Sequence, residues 1–252
     1  MTTKLQIKNL SKVFHAHSRD IVALESIDLD VKEGEFVSIV GTSGCGKSTL
    51  LNIVAGLTDY TEGSVVLNGQ TISGPGPDRA VVFQSDATFP WLSVRDNIEY
   101  GLKIKKIAKE KRTEISNDLL ELLELTNFAN VYPKELSGGM RKRIDIGRAY
   151  AVAPEILLMD EPFGALDVVT RENMQEELLH IWSTKKTTII FVTHDIEEAM
   201  LLSDRIVLLS PRPGRIKDII DVPFARPRDS KLRESKEFYD FRIKLREIWD
   251  RE

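Results

Sequence analysis

Gly41-Thr42-Ser43-Gly44-Cys45-Gly46-Lys47-Ser48, followed by Thr49, decides how the rest of this chain is read. It matches the pattern G-x-x-x-x-G-K-S/T, and its flanks suit a phosphate-binding loop. Upstream, Glu35-Phe36-Val37-Ser38-Ile39-Val40 is a short β-branched run that predicts a buried strand. Downstream, Ser48-Thr49-Leu50-Leu51-Asn52-Ile53-Val54-Ala55 has helical spacing and stops at Gly56, a helix end. Strand, glycine loop and helix start gather backbone N–H groups and the positive end of a helix dipole at one point, where a polyphosphate is accepted. Lys47 is expected to reach the β- and γ-phosphates, and the Ser48 hydroxyl to ligate Mg²⁺. Residues 41–49 therefore form the candidate cradle of a nucleoside triphosphate. Cys45 is the only cysteine, which rules out an intramolecular disulfide and fits a reducing compartment. It reads as a tolerated small residue rather than a nucleophile, open to alkylation unless nucleotide shields it.

The 252 residues are enough for one large α/β domain with a smaller helical insert. Apolar residues make up 42% and charged residues 29%, the balance of an ordinary globular chain. A net charge of -4 argues against a nucleic-acid partner. No stretch reaches the ~18–20 apolar residues that span a bilayer, and the first residues lack the apolar core of a signal peptide. Contact with a membrane is expected to run through another protein.

Along the chain, residues 4–40 alternate apolar and polar positions in short pieces, which predicts antiparallel strands beside the main sheet; residues 61–84 repeat the style with Ser64–Gly69 as a strand into a turn, and Ala80-Val81-Val82-Phe83 reads as a buried strand ending at Gln84. Turns are expected at His15–Asp20, at Lys32-Glu33-Gly34 and at Gly74-Pro75-Gly76-Pro77. From Ser93 to about Asn130 the pattern is helical, so residues 89–136 read as an insertion between two parts of the sheet domain. Strands over Glu155–Asp160, Thr187–Val192 and Arg205–Leu209 then alternate with helices over roughly 168–184 and 195–202. Such alternation implies a mostly parallel, covered sheet. Residues 229–250 are expected to form one charged amphipathic helix packed on the surface.

Three further stretches carry chemistry. Ile156-Leu157-Leu158-Met159-Asp160-Glu161 places two carboxylates at the tip of an apolar strand. Beside a phosphate loop, Asp160 is the expected Mg²⁺ partner and Glu161 the group that polarises an attacking water. Leu136-Ser137-Gly138-Gly139-Met140 precedes a helix running to Tyr150, a second glycine-rich, anion-accepting helix start. One nucleotide does not need two such cradles. His194 ends the strand Phe191-Val192-Thr193, where a histidine by itself is more often structural than catalytic.

With Ser137-Gly138-Gly139 in place beside the phosphate loop, the chain resembles the nucleotide-binding subunits of ATP-binding cassette (ABC) transporters, over residues from about 4 to 225. The resemblance implies an α/β P-loop fold with a mostly parallel core sheet, an antiparallel β subdomain and a helical subdomain at about 89–150. The cassette domain would span 1–227, with 228–252 a C-terminal helical extension. It also implies a head-to-tail dimer, in which Ser137, Gly138 and Gly139 of one subunit close over ATP held by the phosphate loop of the other. By the same resemblance Gln84 contacts Mg²⁺ and the attacking water, and His194 senses the γ-phosphate. Gly164-Ala165-Leu166-Asp167 would touch the opposite site through Asp167. Phe14 would stack on adenine, unless it is only a core residue ending a strand.

Phe89-Pro90-Trp91-Leu92-Ser93 after Gln84, and Ser210-Pro211-Arg212-Pro213-Gly214-Arg215-Ile216 late in the chain, resemble importers of the nitrate, sulfonate, taurine and bicarbonate group. Aliphatic sulfonate is the expected cargo. Phe89 and Trp91 either pack internally or line an apolar groove for a short helix of a membrane subunit. The implied partners are a second copy or a paralogous ATPase subunit, transmembrane permease subunits and, indirectly, a solute-binding protein. The implied place is the cytoplasmic face of a bacterial inner membrane. Two departures stand out: Met140 replaces a common glutamine, and Arg141-Lys142-Arg143 is more basic than the usual Lys-Gln-Arg. The rival classes are a soluble ABC ATPase, an exporter ATPase and a P-loop metabolite kinase; the kinase would leave Ser137-Gly138-Gly139 and His194 unexplained.

Overall fold

A computed structural model describes residues 2–16 and 19–250. They fall into two compact units, Met1–Gly76 with Lys186–Glu252, and Pro77–Lys185. In chain order the first unit opens with β1 (Thr3–Ala16), β2 (Arg19–Lys32), β3 (Phe36–Val40), α1 (Lys47–Ala55), β4 (Glu62–Leu67) and the short β5 (Gln70–Thr71). The second unit holds β6 (Arg79–Val82), α2 (Val94–Ile104), α3 (Lys109–Leu122), α4 (Gly138–Ala151), β7 (Ile156–Asp160) and α5 (Val168–Lys185). The chain returns to the first unit with β8 (Thr188–Thr193), α6 (Ile196–Leu202), β9 (Arg205–Leu209), β10 (Ile216–Asp221) and α7 (Lys236–Asp250).

Within the first unit, β2, β1, β4 and β5 form an antiparallel sheet. Its alternating residues put Leu5, Ile7, Leu24, Ile27, Leu29 and Val31 on the buried face, as a sheet with one wet side requires. The turn expected at His15–Asp20 is narrower than that span: β1 runs to Ala16, β2 starts at Arg19, and residues 17–18 lie outside those described. A second group of strands runs β10-β9-β3-β8, with β3 parallel to both β8 and β9. Every residue of β3 and β8 is buried, which explains why both read as continuous apolar runs rather than alternating ones. The strand β10, antiparallel to β9, was not expected; its residues Ile216-Lys217-Asp218-Ile219-Ile220-Asp221 are partly exposed and give no apolar run to recognise.

The stretch expected as a single C-terminal helix is divided in two. Ser230–Glu234 is a short 3-10 turn, and α7 begins after Ser235, whose hydroxyl accepts from the Phe238 N–H at 3.1 Å. The serine cap satisfies a helix-start donor and lets the chain turn there. Nor is the helix a surface addition only. Phe238 and Leu245 are buried with Met200, Leu208 and Val40, the residue that leads into Gly41. Arg228 holds this return path, donating to the carbonyls of Met200, Leu201 and Ser203 at the end of α6.

Gly56 closes α1 in the left-handed region, φ 75°, and donates its N–H back to Ile53 O at 3.0 Å. A Cβ there would overlap the backbone carbonyl of Gly74. Gly56→Ala is therefore expected to cost about 2–4 kcal/mol, the sum of left-handed strain and overpacking against backbone. Urea unfolding should show a lower midpoint with an unchanged slope; a midpoint equal to wild type would show that the Gly74 turn yields freely.

Within the second unit, β6 and β7 are parallel, and α4 packs against β6, α2, α3 and α5. Glu177 of α5 lies with its Oε2 3.0 Å from Arg143 Nε of α4, yet neither carboxylate oxygen has a hydrogen-bond partner among the described residues. Burial pushes Glu177 up to about 7, against the opposing pull of Arg143. A carboxyl whose folded pKa exceeds its unfolded value binds its proton more tightly when folded. The stabilisation that this carboxyl contributes is then fully present at low pH and is lost as pH rises from about 4.5 through about 7. Glu177→Gln is expected to flatten that part of the stability profile, measured by urea titrations at pH 5, 6, 7 and 8. An unchanged slope would mean the carboxylate is ionised throughout.

Candidate nucleotide site

In the first unit the site is set by strand register. β3 and β8 run side by side with Val40 opposite Thr193, so Gly41 and His194 leave the sheet at the same carboxyl end, where open α/β sheets place ligands. The loop is wound on its own backbone: Cys45 N–H reaches Thr42 O at 3.2 Å and Leu50 N–H reaches Gly46 O at 2.9 Å. Gly44 and Gly46 adopt φ 77° and 110°. A Cβ on Gly46 would sit 2.7 Å from Leu24 Cδ2 and 2.9 Å from Ala23 O, so only glycine fits. Lys47 is buried, its Nζ donating to Gly41 O at 2.9 Å and Thr42 O at 3.1 Å. Helix α1 has no side-chain cap and no acid in its first turn, which leaves its positive end directed at the loop. Thr42, Ser43, Gly44 and Ser48 are exposed, and Thr49 is half-buried.

Cys45 is only 1% exposed. Burial pushes its thiol up, with Lys47 opposing. The expectation that it stays open to alkylation until nucleotide covers it is not met; the loop itself covers it. Phe14 is 41% exposed with Lys12 Nζ 4.8 Å from its ring centroid, so it is not a core residue. His194 is exposed between the end of β8 and the cap of α6, where the Asp195 carboxylate accepts from Glu197 N–H at 2.8 Å and Glu198 N–H at 3.2 Å.

The second unit brings another set together. In the register of β6 on β7, Val82 faces Met159, so Gln84 and the pair Asp160–Glu161 emerge at one end. Glu161 takes φ 43°, a left-handed conformation costing a carboxylate residue about 1–2 kcal/mol. Such strain held at a strand tip is an observation from which function is inferred. Gly164 N–H closes the turn on Glu161 O at 3.1 Å. A Cβ on Gly164 would lie 3.4 Å from Glu161 O and 3.6 Å from Gln84 Nε2, which puts the Gln84 amide beside the turn carrying Glu161.

Ser137 caps α4, its Oγ accepting from Met140 N–H at 3.3 Å. Gly139 faces Thr170 and Gly138 faces Leu166, so Ser137-Gly138-Gly139 lies against the Gly164–Asp167 turn. Asp167 is exposed and holds the start of α5, accepting from Thr170 N–H at 3.0 Å; hydrogen bonding from the Thr170 side chain first, and from this N–H second, holds its carboxyl below the usual range. Phe89 is half-buried, 4.5 Å from the Tyr100 ring and 4.3 Å from the Arg148 guanidinium, whereas Trp91 is 70% exposed. Phe89 packs inward, and Trp91 lies against its ring, 5.4 Å between centroids, with most of its surface open.

The sequence alone did not expose Arg212. Its guanidinium donates to Gly44 O at 3.1 Å, and Gly214 pairs with Ala23 and Glu25 on β2, so the Ser210–Ile216 loop braces the phosphate loop from outside. The signal was present, since Pro211-Arg212-Pro213-Gly214 is an unusual turn; its role needed the fold.

A family model described as ABC transporter matches residues 24–164, and the chain belongs to that family: it is an ATP-binding cassette, an ATP hydrolase coupled to transport. Among its relatives are an uncharacterized ABC transporter ATP-binding protein of Methanocaldococcus jannaschii, 48% identical over 98% of this chain and 92% of the relative, and two proteins of Synechocystis. These are the bicarbonate transport ATP-binding protein CmpD, 45% identical over 96% of this chain and 87% of that protein, and the nitrate import ATP-binding protein NrtD, 43% identical over 94% and 91%. Among solved structures, the dimeric post-hydrolysis state of the cassette MJ0796 bound to ADP and Pi matches with TM-score 0.76 and 34% identity, covering 88% of this chain and all of that one.

Proposed function

We propose that this chain is the ATPase subunit of a bacterial importer for a small anionic solute, working as a dimer with itself or a paralogue beneath transmembrane permease subunits. The observation that carries this is the pair of glycine-opened helix starts at α1 and α4, in a chain similar to named bicarbonate and nitrate transport proteins. One ATP takes one cradle from each of two copies. Lys47 and the N–H groups of residues 41–49 bind the phosphates, Phe14 stacks on adenine, and Ser137, Gly138 and Gly139 of the facing copy close the site. Asp167 meets the opposite site, His194 senses the γ-phosphate, and Glu161 polarises the attacking water, which Gln84 helps to place.

Mg²⁺ suits the chemistry of each side chain assigned to it. Ser48, Asp160 and Gln84 offer hard oxygens, and no group of three or more His, Cys, Asp or Glu able to hold a metal occurs among the described residues; an ion that shares phosphate oxygens needs only one or two side chains. When bound, it neutralises phosphate charge. No helix of the described residues is long and apolar enough to cross a membrane, and exposed Trp91 and half-buried Phe89 suit a peripheral seat against a permease helix.

Nitrate and bicarbonate, the cargoes in the relatives' names, support a small inorganic oxyanion; aliphatic sulfonate rests on the sequence resemblance. Purification of the membrane complex, with ATPase assayed beside binding proteins loaded with nitrate, bicarbonate or a sulfonate, separates them. Stimulation by one alone names the cargo. Failure to recover any membrane partner would overturn the importer role and favour a soluble cassette ATPase.

A further inference from the structure

Lys142 stands in the basic run that departs from the family pattern, yet it is only 2% exposed. From α4 its Nζ donates to the backbone carbonyls of Phe83 at 2.9 Å and Gln84 at 3.3 Å, and lies 3.6 Å from Asp145 Oδ2. A lysine is rarely buried unless its charge is matched and its donors used, and here both conditions are met by the segment carrying Gln84 and by its own helix. The neighbouring side chains of the same helix hold the rest of that segment. Arg141 Nε donates to Asp86 Oδ2 at 2.6 Å, Asp145 Oδ2 accepts from Ala87 N–H at 3.1 Å, and Arg148 donates to Ala87 O. Residues 83–87 have left β6 and pair with no strand among the described residues, so α4 supplies what a sheet neighbour would.

We propose that Lys142 is a positioning residue for Gln84: it fastens the backbone of residues 83–87 to α4, so that the glutamine and the Ser137-Gly138-Gly139 helix start are carried as one piece. The inference rests on the role given to Gln84 above. Arg141 on Asp86 is the outer, more exposed part of the same clamp, and Arg148 continues it to the Phe89 ring, next to the exposed Trp91.

A double-mutant cycle on the full chain tests this, with kcat and KM for ATP measured for wild type, Gln84→Ala, Lys142→Met and the double variant. Loss of the clamp should lower kcat about tenfold or more, as misplacement of a reacting group does, with KM for ATP changed less than about twofold. The double variant should be no slower than Gln84→Ala, because residues that act through one another are not additive. Lys142→Arg, which keeps a cationic donor, should recover most of kcat. Should Lys142→Met not fold, Asp86→Asn opens the exposed part of the clamp and enters the same cycle. Effects that multiply in the double variant, with Gln84→Ala itself slow, would overturn the positioning role alone. A Gln84→Ala protein as fast as wild type would remove Gln84 from the reaction and this inference with it.

Discussion

Glu161→Gln is expected to lower ATP turnover by roughly 10²–10⁴-fold, the range a positioned general base supplies, while leaving nucleotide affinity close to wild type. The amide keeps the size of the side chain and loses its ability to take a proton. It also leaves the backbone as it is, since the φ of 43° and the Gly164 N–H to Glu161 O bond belong to the main chain. With hydrolysis blocked and binding intact, ATP should hold two copies together, and size-exclusion chromatography with ATP should show a dimer that ADP does not produce. Turnover near the wild-type rate would remove Glu161 from the role of base, and Asp160 would be the next carboxylate to examine.

Lys47→Met should act at the earlier step. Buried Lys47 holds Gly41 O and Thr42 O, so it fixes the loop, and under the proposed function its charge would then meet the phosphates. Removing a charged hydrogen-bond donor of about 1.5–3 kcal/mol should weaken ATP binding roughly 10–150-fold, and kcat/KM by at least as much. Titration with a fluorescent nucleotide measures the first and steady-state hydrolysis the second. If affinity were unchanged while turnover fell, the lysine would serve hydrolysis alone and the cradle would consist of backbone N–H groups.

The two variants separate along the division of the molecule: one acts through the loop after β3, the other through the turn after β7. Their sequence signals differ in kind as well. Gly44, Gly46 and Lys47 are legible because the backbone there needs positive φ and close approach, which few residues allow. Glu161 is legible because adjacent acids at the tip of a buried strand are costly without a chemical use. Phe14 and Cys45 were ambiguous until exposure was known; one proved 41% and the other 1% exposed. The single helix expected over 229–250 failed at Ser235, since periodicity on a charged surface helix does not reveal a cap that interrupts it. β10 was missed for a related reason, because a partly exposed edge strand lacks the apolar run that marks β3 or β8.

By itself the sequence determined the phosphate loop, the alternation of buried strands with helices, the second glycine-opened helix start and the family. These depend on local conformation, on burial period and on residues whose chemistry has few substitutes. Only the tertiary structure decided that Lys142 is buried under the Gln84 segment, that Arg212 reaches Gly44 O, that the Glu177 carboxylate is buried beside Arg143 without a hydrogen-bond partner among the described residues and that α7 shares a core with Val40. Each of those facts joins residues far apart in the chain through long, flexible or weakly patterned side chains. A lysine in a basic run reads as solvated until the fold shows two carbonyls waiting for it.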